Sequence, residues 1–332
     1  DTFTGSARRI LHHPQPREVV LEWNKAWEGP YALYVTVLHD GEKIRVYYRG
    51  WPELKTEDCC AVAESQDGIH FTRPNLGLFE WEGSKENNIC YMGPGGHNFT
   101  PFLDANPDTP PDQKWKAVAS AGPKASLVPF VSADGYRWKR LRDEPIITKG
   151  AFDSQNLAYW NTAIGKYVEF HRGFRDGVRD IMTSTSEDFL NWTEPEWLDY
   201  GDARREHLYT NAITTYFRAP HIYLGFPCRF VPSRKKVPSH RERGMNDGLF
   251  MSSRDGRHFE RWGKAFLRPG PDDLVWTDRC NYASWGIVQT SDTELSLYYS
   301  EHYRYPTARL RRRTIRIDGF VSIGADEPVS YT

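Results

Sequence analysis

A short pattern, Ser-x-Asp-Gly-x-x-aromatic, recurs along this 332-residue chain at intervals that constrain the fold more than any other feature. It occurs as Ser65, Asp67, Gly68 and Phe71, as Ser132, Asp134, Gly135 and Trp138, and as Ser253, Asp255, Gly256 and Phe259. A variant, Ser186, Asp188, Phe189 and Trp192, has Phe in place of the glycine, and a worn copy, Asp318, Gly319 and Phe320, ends the series. Asp-Gly supplies the positive φ of a tight hairpin, the Ser and Asp side chains can satisfy turn amides, and the aromatic packs between neighbouring repeats. Successive aspartates are roughly 54 to 67 residues apart, the size of one four-stranded unit with generous loops.

Strand-like runs rich in β-branched and aromatic residues precede the copies: Ile44 to Tyr48, Trp115 to Ala119, Lys166 to Phe170, Ile222 to Phe226 and Glu294 to Tyr299. Helical periodicity with caps is nearly absent. The chain therefore reads as all-β, a five-bladed β-propeller with four antiparallel strands per blade, forming a single domain over residues 1–332. The predicted blades are 28–82, 97–148, 153–200, 206–269 and 278–324, with residues 1–27 leading in. Pro232 to Asn246, carrying Arg234, Lys235, Lys236, Arg241 and Arg243, reads as a long solvated loop that contributes little to stability.

Lys and Arg number 43 against 44 Asp and Glu, so no whole-molecule field attracts nucleic acid or an anionic membrane. No apolar run approaches the roughly 20 residues of a membrane-spanning helix. The five cysteines, Cys59, Cys60, Cys90, Cys228 and Cys280, lack zinc-ligand spacing and are expected to be reduced and structural. Twelve tryptophans exceed what a hydrocarbon core needs, and while most are expected in blade cores, others are candidate stacking faces for sugar rings.

The segment Ser184 to Trp192 resembles the outer-strand hairpin of five-bladed glycoside hydrolases of the invertase/levanase and arabinanase/xylosidase type, and Tyr47-Tyr48-Arg49-Gly50-Trp51 resembles the end of their first-blade second strand. The resemblance implies a carbohydrate-active propeller with its acids at the starts of the innermost strands, around the axis. Those positions offer Trp27 and Glu28 in blade one, His97 and Asn98 in blade two, and Asp153 in blade three. Blade four offers Glu206 and His207, where the invertase pattern carries its acid, and blade five Asp278, Arg279 and Asn281. Arg49, Glu169, His171, Arg172, Arg229, Glu301 and His302 lie at second-strand ends within reach of the same space, although each also fits an inter-blade ion pair.

Glycoside hydrolysis needs one protonated and one ionised carboxyl group. Glu206 is the expected acid, its pKa raised by neighbouring carboxylates, and Asp153 and Asp278 are the ionised partner and its modulator. Trp27, Trp51, Trp160 and Trp285 are candidate stacking faces near the rim. Arg49, Arg172, Arg229 and Arg279 either converge on an acidic sugar or buttress the acids around a neutral one. No cofactor is called for; His97, His207 and His302 could hold substrate hydroxyls, act as acid or ligate a metal ion on the axis. The expected partner is a carbohydrate cleaved from a chain end, with neither nucleic acid nor membrane. A non-catalytic glycan-binding propeller is the alternative.

Overall fold

In the computed structural model, which describes residues 7–54 and 56–325, the repeated motif forms a turn held by its own side chains. Ser65 Oγ accepts the amides of Asp67 and Gly68 at 3.2 and 2.9 Å, and Asp67 Oδ1 accepts those of Ile69 and His70, both at 2.8 Å. The same bonds form at Ser132/Asp134 and Ser253/Asp255, with the glycines at φ 73°, 78° and 77°. In the variant, Phe189 occupies this left-handed position at φ 69°. That is strained for a bulky residue, and its buried ring packs against Phe102, Tyr167 and Trp192, which offsets the strain.

The turns follow the third strands of five four-stranded antiparallel sheets. Sheet one comprises Leu33–His39, Ile44–Gly50, Cys59–Ser65 and Ile89–Met92; sheet two Thr100–Leu103, Trp115–Ser120, Leu127–Ser132 and Lys139–Arg140. Sheet three comprises Leu157–Asn161, Lys166–Arg175, Val178–Ser186 and Glu196–Trp197; sheet four Thr214–Tyr216, Ala219–Gly225, Met251–Ser253 and Phe259–Arg261. Sheet five takes Val288–Gln289, Glu294–Glu301 and Arg309–Arg316 from the end of the chain, and its fourth strand, Gln15–Glu22, from the beginning. Helix is confined to four short 3-10 turns among the described residues.

Two expectations need correction. Residues 15–22 are not a lead-in but a strand paired with Arg309–Arg316, and Arg8–Leu11 pairs with Val321–Gly324. The fourth unit is also interrupted: His207–Leu208, Cys228–Val231 and Met245–Gly248 form a separate three-stranded sheet. Pro227, with no amide hydrogen to give a ladder, sits at the break in the second strand. The five cysteines are free and buried, as expected of structural thiols.

Neighbouring sheets are tied by tyrosines. Tyr47 of sheet one donates to the Gly135 carbonyl in the turn of sheet two at 3.1 Å. Tyr298 of sheet five donates to the Gly68 carbonyl of sheet one at 2.7 Å. Sheets five and one also meet through a parallel bridge between Thr36 and Trp285, so the last sheet packs against the first.

Gly286 lies at this junction with φ 112°, and a methyl group there would overlap the Val37 carbonyl oxygen. Gly286→Ala is expected to cost about 3 kcal/mol or more in urea denaturation. Gly165→Ala, at φ 62° with open space around it, should cost only about 1 kcal/mol. The turn aspartates generate a second expectation. His70 holds the Asp67 carboxyl far below its usual range; burial pushes Asp188 up, but Asn191 and the Leu190 amide outweigh it and hold it at about 2. Asp134 and Asp255 are likewise lowered. Depressed carboxylates contribute stability above their unfolded value of about 3.9 and lose it as pH falls through the folded one. Denaturation midpoints should therefore fall between about pH 4 and pH 2, less steeply in Asp188→Asn.

Candidate active site

The starts of the first strands of sheets one, three and five open on one cavity of about 430 Å³, completed by a loop ahead of sheet two. Tyr34, Arg49 and Trp51 face it from sheet one and its flank, His97 from the loop before sheet two, Asp153 from the segment before sheet three, and Arg279, Tyr303 and Arg304 from around sheet five. Tyr34, Arg279 and Arg304 adopt φ of 53°, 59° and 73°. Such strained non-glycine backbone clusters at functional sites. Beneath lies a tyrosine-rich core of Tyr34, Tyr209, Tyr282 and Tyr303 with Leu33, Val275, Cys228 and Cys280.

Buried asparagines fix the strand starts. Asn98 and Asn156 both donate to the Phe152 carbonyl, at 2.6 and 3.0 Å. Asn211 reaches the Phe170 carbonyl at 3.2 Å, and Asn281 the carbonyls of Asn246 and Val275, both at 3.0 Å. Each lies one to three residues beyond His97, Asp153, Tyr209 or Arg279.

Asp153 presents the cavity's most open carboxylate, with its side chain 67% exposed. A hydrogen bond from His97 is the main influence on it; burial opposes, and Arg172 and Arg279 assist, so the carboxyl is held at about 2. His97 Nε2 is 3.4 Å from Asp153 Oδ1 and 2.8 Å from Arg49 Nη1, while Nδ1 is 2.5 Å from Asp58. Nε2 thus lies between Arg49, which can only donate, and the Asp153 carboxylate, which can only accept, while Nδ1 faces Asp58.

Arg172, Arg179 and Arg279 surround the Tyr209 ring, their guanidinium carbons 4.7, 5.3 and 5.9 Å from its centre. Burial raises the Tyr209 phenol, but Arg279 and Arg172 outweigh it and hold it below the ordinary tyrosine value. Its neighbour Tyr34 is pushed well above that value, chiefly by burial.

The predicted acid lies elsewhere. Glu206 borders a separate cavity with Trp197 and Tyr200, where it accepts from Arg229 and Arg261 at 2.9 and 2.8 Å. Burial raises its carboxyl, yet these arginines outweigh it, so the pKa is lowered where carboxylate neighbours were expected to raise it. Asp278 is nearly buried behind the cavity, accepting from His240 at 2.6 Å and from Arg304 at 3.2 Å. His240 belongs to the basic loop, whose Arg241 and Glu242 line the cavity. That loop is thus anchored at His240 and shapes the site, while its Arg234, Lys235, Lys236, Arg241 and Arg243 are exposed, as expected of a solvated loop.

Of the predicted substrate-binding residues, Arg49 and His97 face the cavity, and Arg172 acts on its carboxylate from alongside. Asn98 is a strand clamp. Glu28 is fully buried, bonded to Arg73 at 2.7 Å and Tyr48 at 2.6 Å, and Trp27 donates to Asn88 at 2.8 Å. His207 packs on Phe230 and accepts the Arg179 amide; Arg229 bridges Glu206 and Asp247. Glu301 holds Arg309 and Arg311, and His302 holds Asp272. Trp285 is a core residue donating to the Ile213 carbonyl, and with Trp160 it borders a cavity on the far ends of the first strands. Trp51 alone of the predicted stacking faces lines the Asp153 cavity. Sequence reasoning missed Tyr34, Asp58, Tyr209, Tyr303 and Arg304; the asparagines that follow the cavity positions were the available signal. Among the described residues no group of His, Cys, Asp and Glu has the geometry to hold a metal ion.

No family model matches the chain, and no curated protein matches its sequence. Solved structures match its fold. A protein described as a glycoside hydrolase has a TM-score of 0.60 and 13% identity, covering 91% of this chain and 92% of its own. A β-1,2-mannobiose phosphorylase from Listeria innocua has a TM-score of 0.55 and 14% identity over 88% and 90% of the two chains. An α-L-arabinofuranosidase from Fusarium graminearum has a TM-score of 0.55 and 10% identity over 93% and 98%. The chain thus shares the fold of these solved structures at low sequence identity.

Glu206→Gln is expected to remove part of the support for Arg229 and Arg261 and to cost about 2 kcal/mol of stability in denaturant melts. Ligand affinity at the Asp153 cavity should stay within about twofold of the parent, measured by titration calorimetry well below the melting temperature.

Proposed function

We propose that the five sheets are the blades of a five-bladed propeller forming one domain, and that the cavity at its axis cleaves a glycosidic bond at the end of an oligo- or polysaccharide. The observation that carries this reading is Asp153: an exposed carboxylate, held ionised, in a confined cavity at the start of an inner strand. The cavity lies toward the small end of the range for small-molecule sites, about 300–1,000 Å³, which suits a terminal sugar better than the middle of a polymer. The likeness to glycoside hydrolases and a glycoside phosphorylase supports a glycan substrate.

At neutral pH Asp153 cannot be the proton donor, because its carboxyl is held at about 2. It is assigned the ionised role: base, nucleophile or stabiliser of the positive charge that develops on the sugar ring. The proton for the leaving oxygen is assigned to His97, whose Nδ1 is held by Asp58 and whose Nε2 points at the same space. Trp51, 5.2 Å from the His97 ring, offers a stacking face.

A screen of aryl glycosides and plant or algal oligosaccharides, with parent and Asp153→Asn side by side, tests this. The substitution is expected to lower turnover about 10²- to 10⁴-fold and leave the fold intact. Undiminished cleavage would remove Asp153 from the mechanism, and binding without cleavage by the parent across the panel would favour a glycan-binding propeller.

A further inference from the structure

Of the six buried arginines among the described residues, three pair with a carboxylate and three, Arg49, Arg172 and Arg313, do not. Arg45 pairs with Asp40 at 2.6 Å, Arg261 with Glu206 at 2.8 Å and Arg312 with Glu18 at 2.9 Å. Arg313 directs its terminal nitrogens to the carbonyls of Pro14 and Arg268. Arg49 and Arg172, only 3% and 6% exposed, have no carboxylate within 4.0 Å among the described residues, and neither does the half-buried Arg279. Arg172 has one acceptor, the Ala151 carbonyl, for its Nε. Arg279 has the Tyr303 hydroxyl at 3.4 Å, and Arg49 has that same hydroxyl at 3.2 Å besides Tyr31 and His97.

Arg49 and Arg279 line the Asp153 cavity, and Arg172 lies close enough to act on its carboxylate. Arg49 and Arg279 converge on a single phenol, Arg172 and Arg279 flank the Tyr209 ring, and both act on the Asp153 carboxylate. Three like charges gathered out of water repel one another and have lost hydration, a cost that folded proteins normally offset with a counter-charge. Asp153 supplies one negative charge, and its carboxylate is 3.4 Å from His97 and within 4.0 Å of none of the three.

We propose that Arg49, Arg172 and Arg279 form an oxyanion subsite, so that the substrate brings a carboxylate or sulfate on its sugar, or inorganic phosphate enters as the attacking group. Guanidinium forks match such groups with paired hydrogen bonds. The proposal rests on the reading of this cavity as the sugar site. If phosphate is the attacking group, one of its oxygens forms the bond to the anomeric carbon as the bond to the leaving oxygen breaks, and that oxygen takes the proton from His97.

Titration calorimetry compares methyl galactoside and methyl glucoside with the corresponding methyl uronosides, with their 6-sulfates and with inorganic phosphate. At least one oxyanionic probe is expected to bind about 10- to 100-fold more tightly than the neutral glycosides. The preference should shrink with added salt, disappear in Arg279→Gln and return in part in Arg279→Lys. Melting curves of both variants show that they are folded. A preference for uronoside or sulfate assigns the oxyanion to the sugar, and one for phosphate alone assigns it to a co-substrate. Equal affinity for neutral and oxyanionic probes, no binding of any oxyanion, or a preference that survives Arg279→Gln would overturn the proposal. Arginine-dependent oxyanion binding without cleavage of any glycan would keep the subsite and reject the glycosidase reading. Cleavage of neutral glycosides unaffected by Arg279→Gln would do the reverse.

Discussion

The site depends on the hydrogen bonds that four buried asparagines make where first strands begin. Asn98, Asn156, Asn211 and Asn281 each donate to a backbone carbonyl. Asn98 also accepts from the Ser120 amide and hydroxyl, and Asn211 from the Ile213 amide, so both sides of these two amides are used, whereas the buried Asn156 Oδ1 and Asn281 Oδ1 have no hydrogen-bond partner among the described residues. In a buried setting an amide with these partners has no comparable alternative, and leaving it unpaired would cost about 1–3 kcal/mol. The strand starts are therefore pinned to neighbouring backbone. His97, Asp153, Tyr209 and Arg279, one to three residues upstream, inherit that precision without needing partners that would neutralise them.

That independence separates two kinds of charge in the molecule. Glu28 with Arg73, Glu206 with Arg229 and Arg261, and Glu301 with Arg309 and Arg311 are closed sets in which carboxylate and guanidinium satisfy each other. They bind sheet to loop and sheet to sheet and have little capacity left for chemistry. Around the Asp153 cavity the guanidinium charges instead stack on aromatic faces, Arg49 over Tyr34 at 4.7 Å and Arg172 over Tyr209 at 4.7 Å. A ring face tolerates a cation without consuming its N–H donors. The tyrosine-rich lining is thus what allows an excess of positive charge to persist there.

The hairpins were legible in the sequence because their chemistry is local: Ser65 and Asp67 bond amides no more than three residues away. Their recurrence then conveyed the succession of sheets. The strand Gln15–Glu22 was not legible, because its partner lies almost a full chain length away at Arg309–Arg316 and nothing local marks the pairing. The candidate site was half legible. Asp153 and His97 stand where strand starts were expected and Arg49 at an expected second-strand end, whereas the fourth sheet was entered three residues early, at Glu206 instead of Tyr209. An ionisable residue beside a histidine looked like a site, but the strand break that follows places Glu206 beside Arg261 of the outer edge. Trp285 misled for a related reason: a tryptophan near a first strand serves stacking or core packing equally, and only its bond to the Ile213 carbonyl decides for the core.

The partition of charge also bears on how a proton moves in the cavity. A pair of carboxylates would share a proton through mutual repulsion, one being raised as the other ionises. Here the second lining carboxylate, Glu242, is 3.9 Å from Arg304 and 3.6 Å from Arg241, so its negative charge is answered by arginines and not by Asp153. The surplus of guanidinium groups favours anions throughout the cavity and works against any neutral carboxyl there. Among the described residues His97 is the one imidazole lining the cavity, and Asp58, 2.5 Å from Nδ1, holds the ring so that Nε2 faces Arg49 and Asp153.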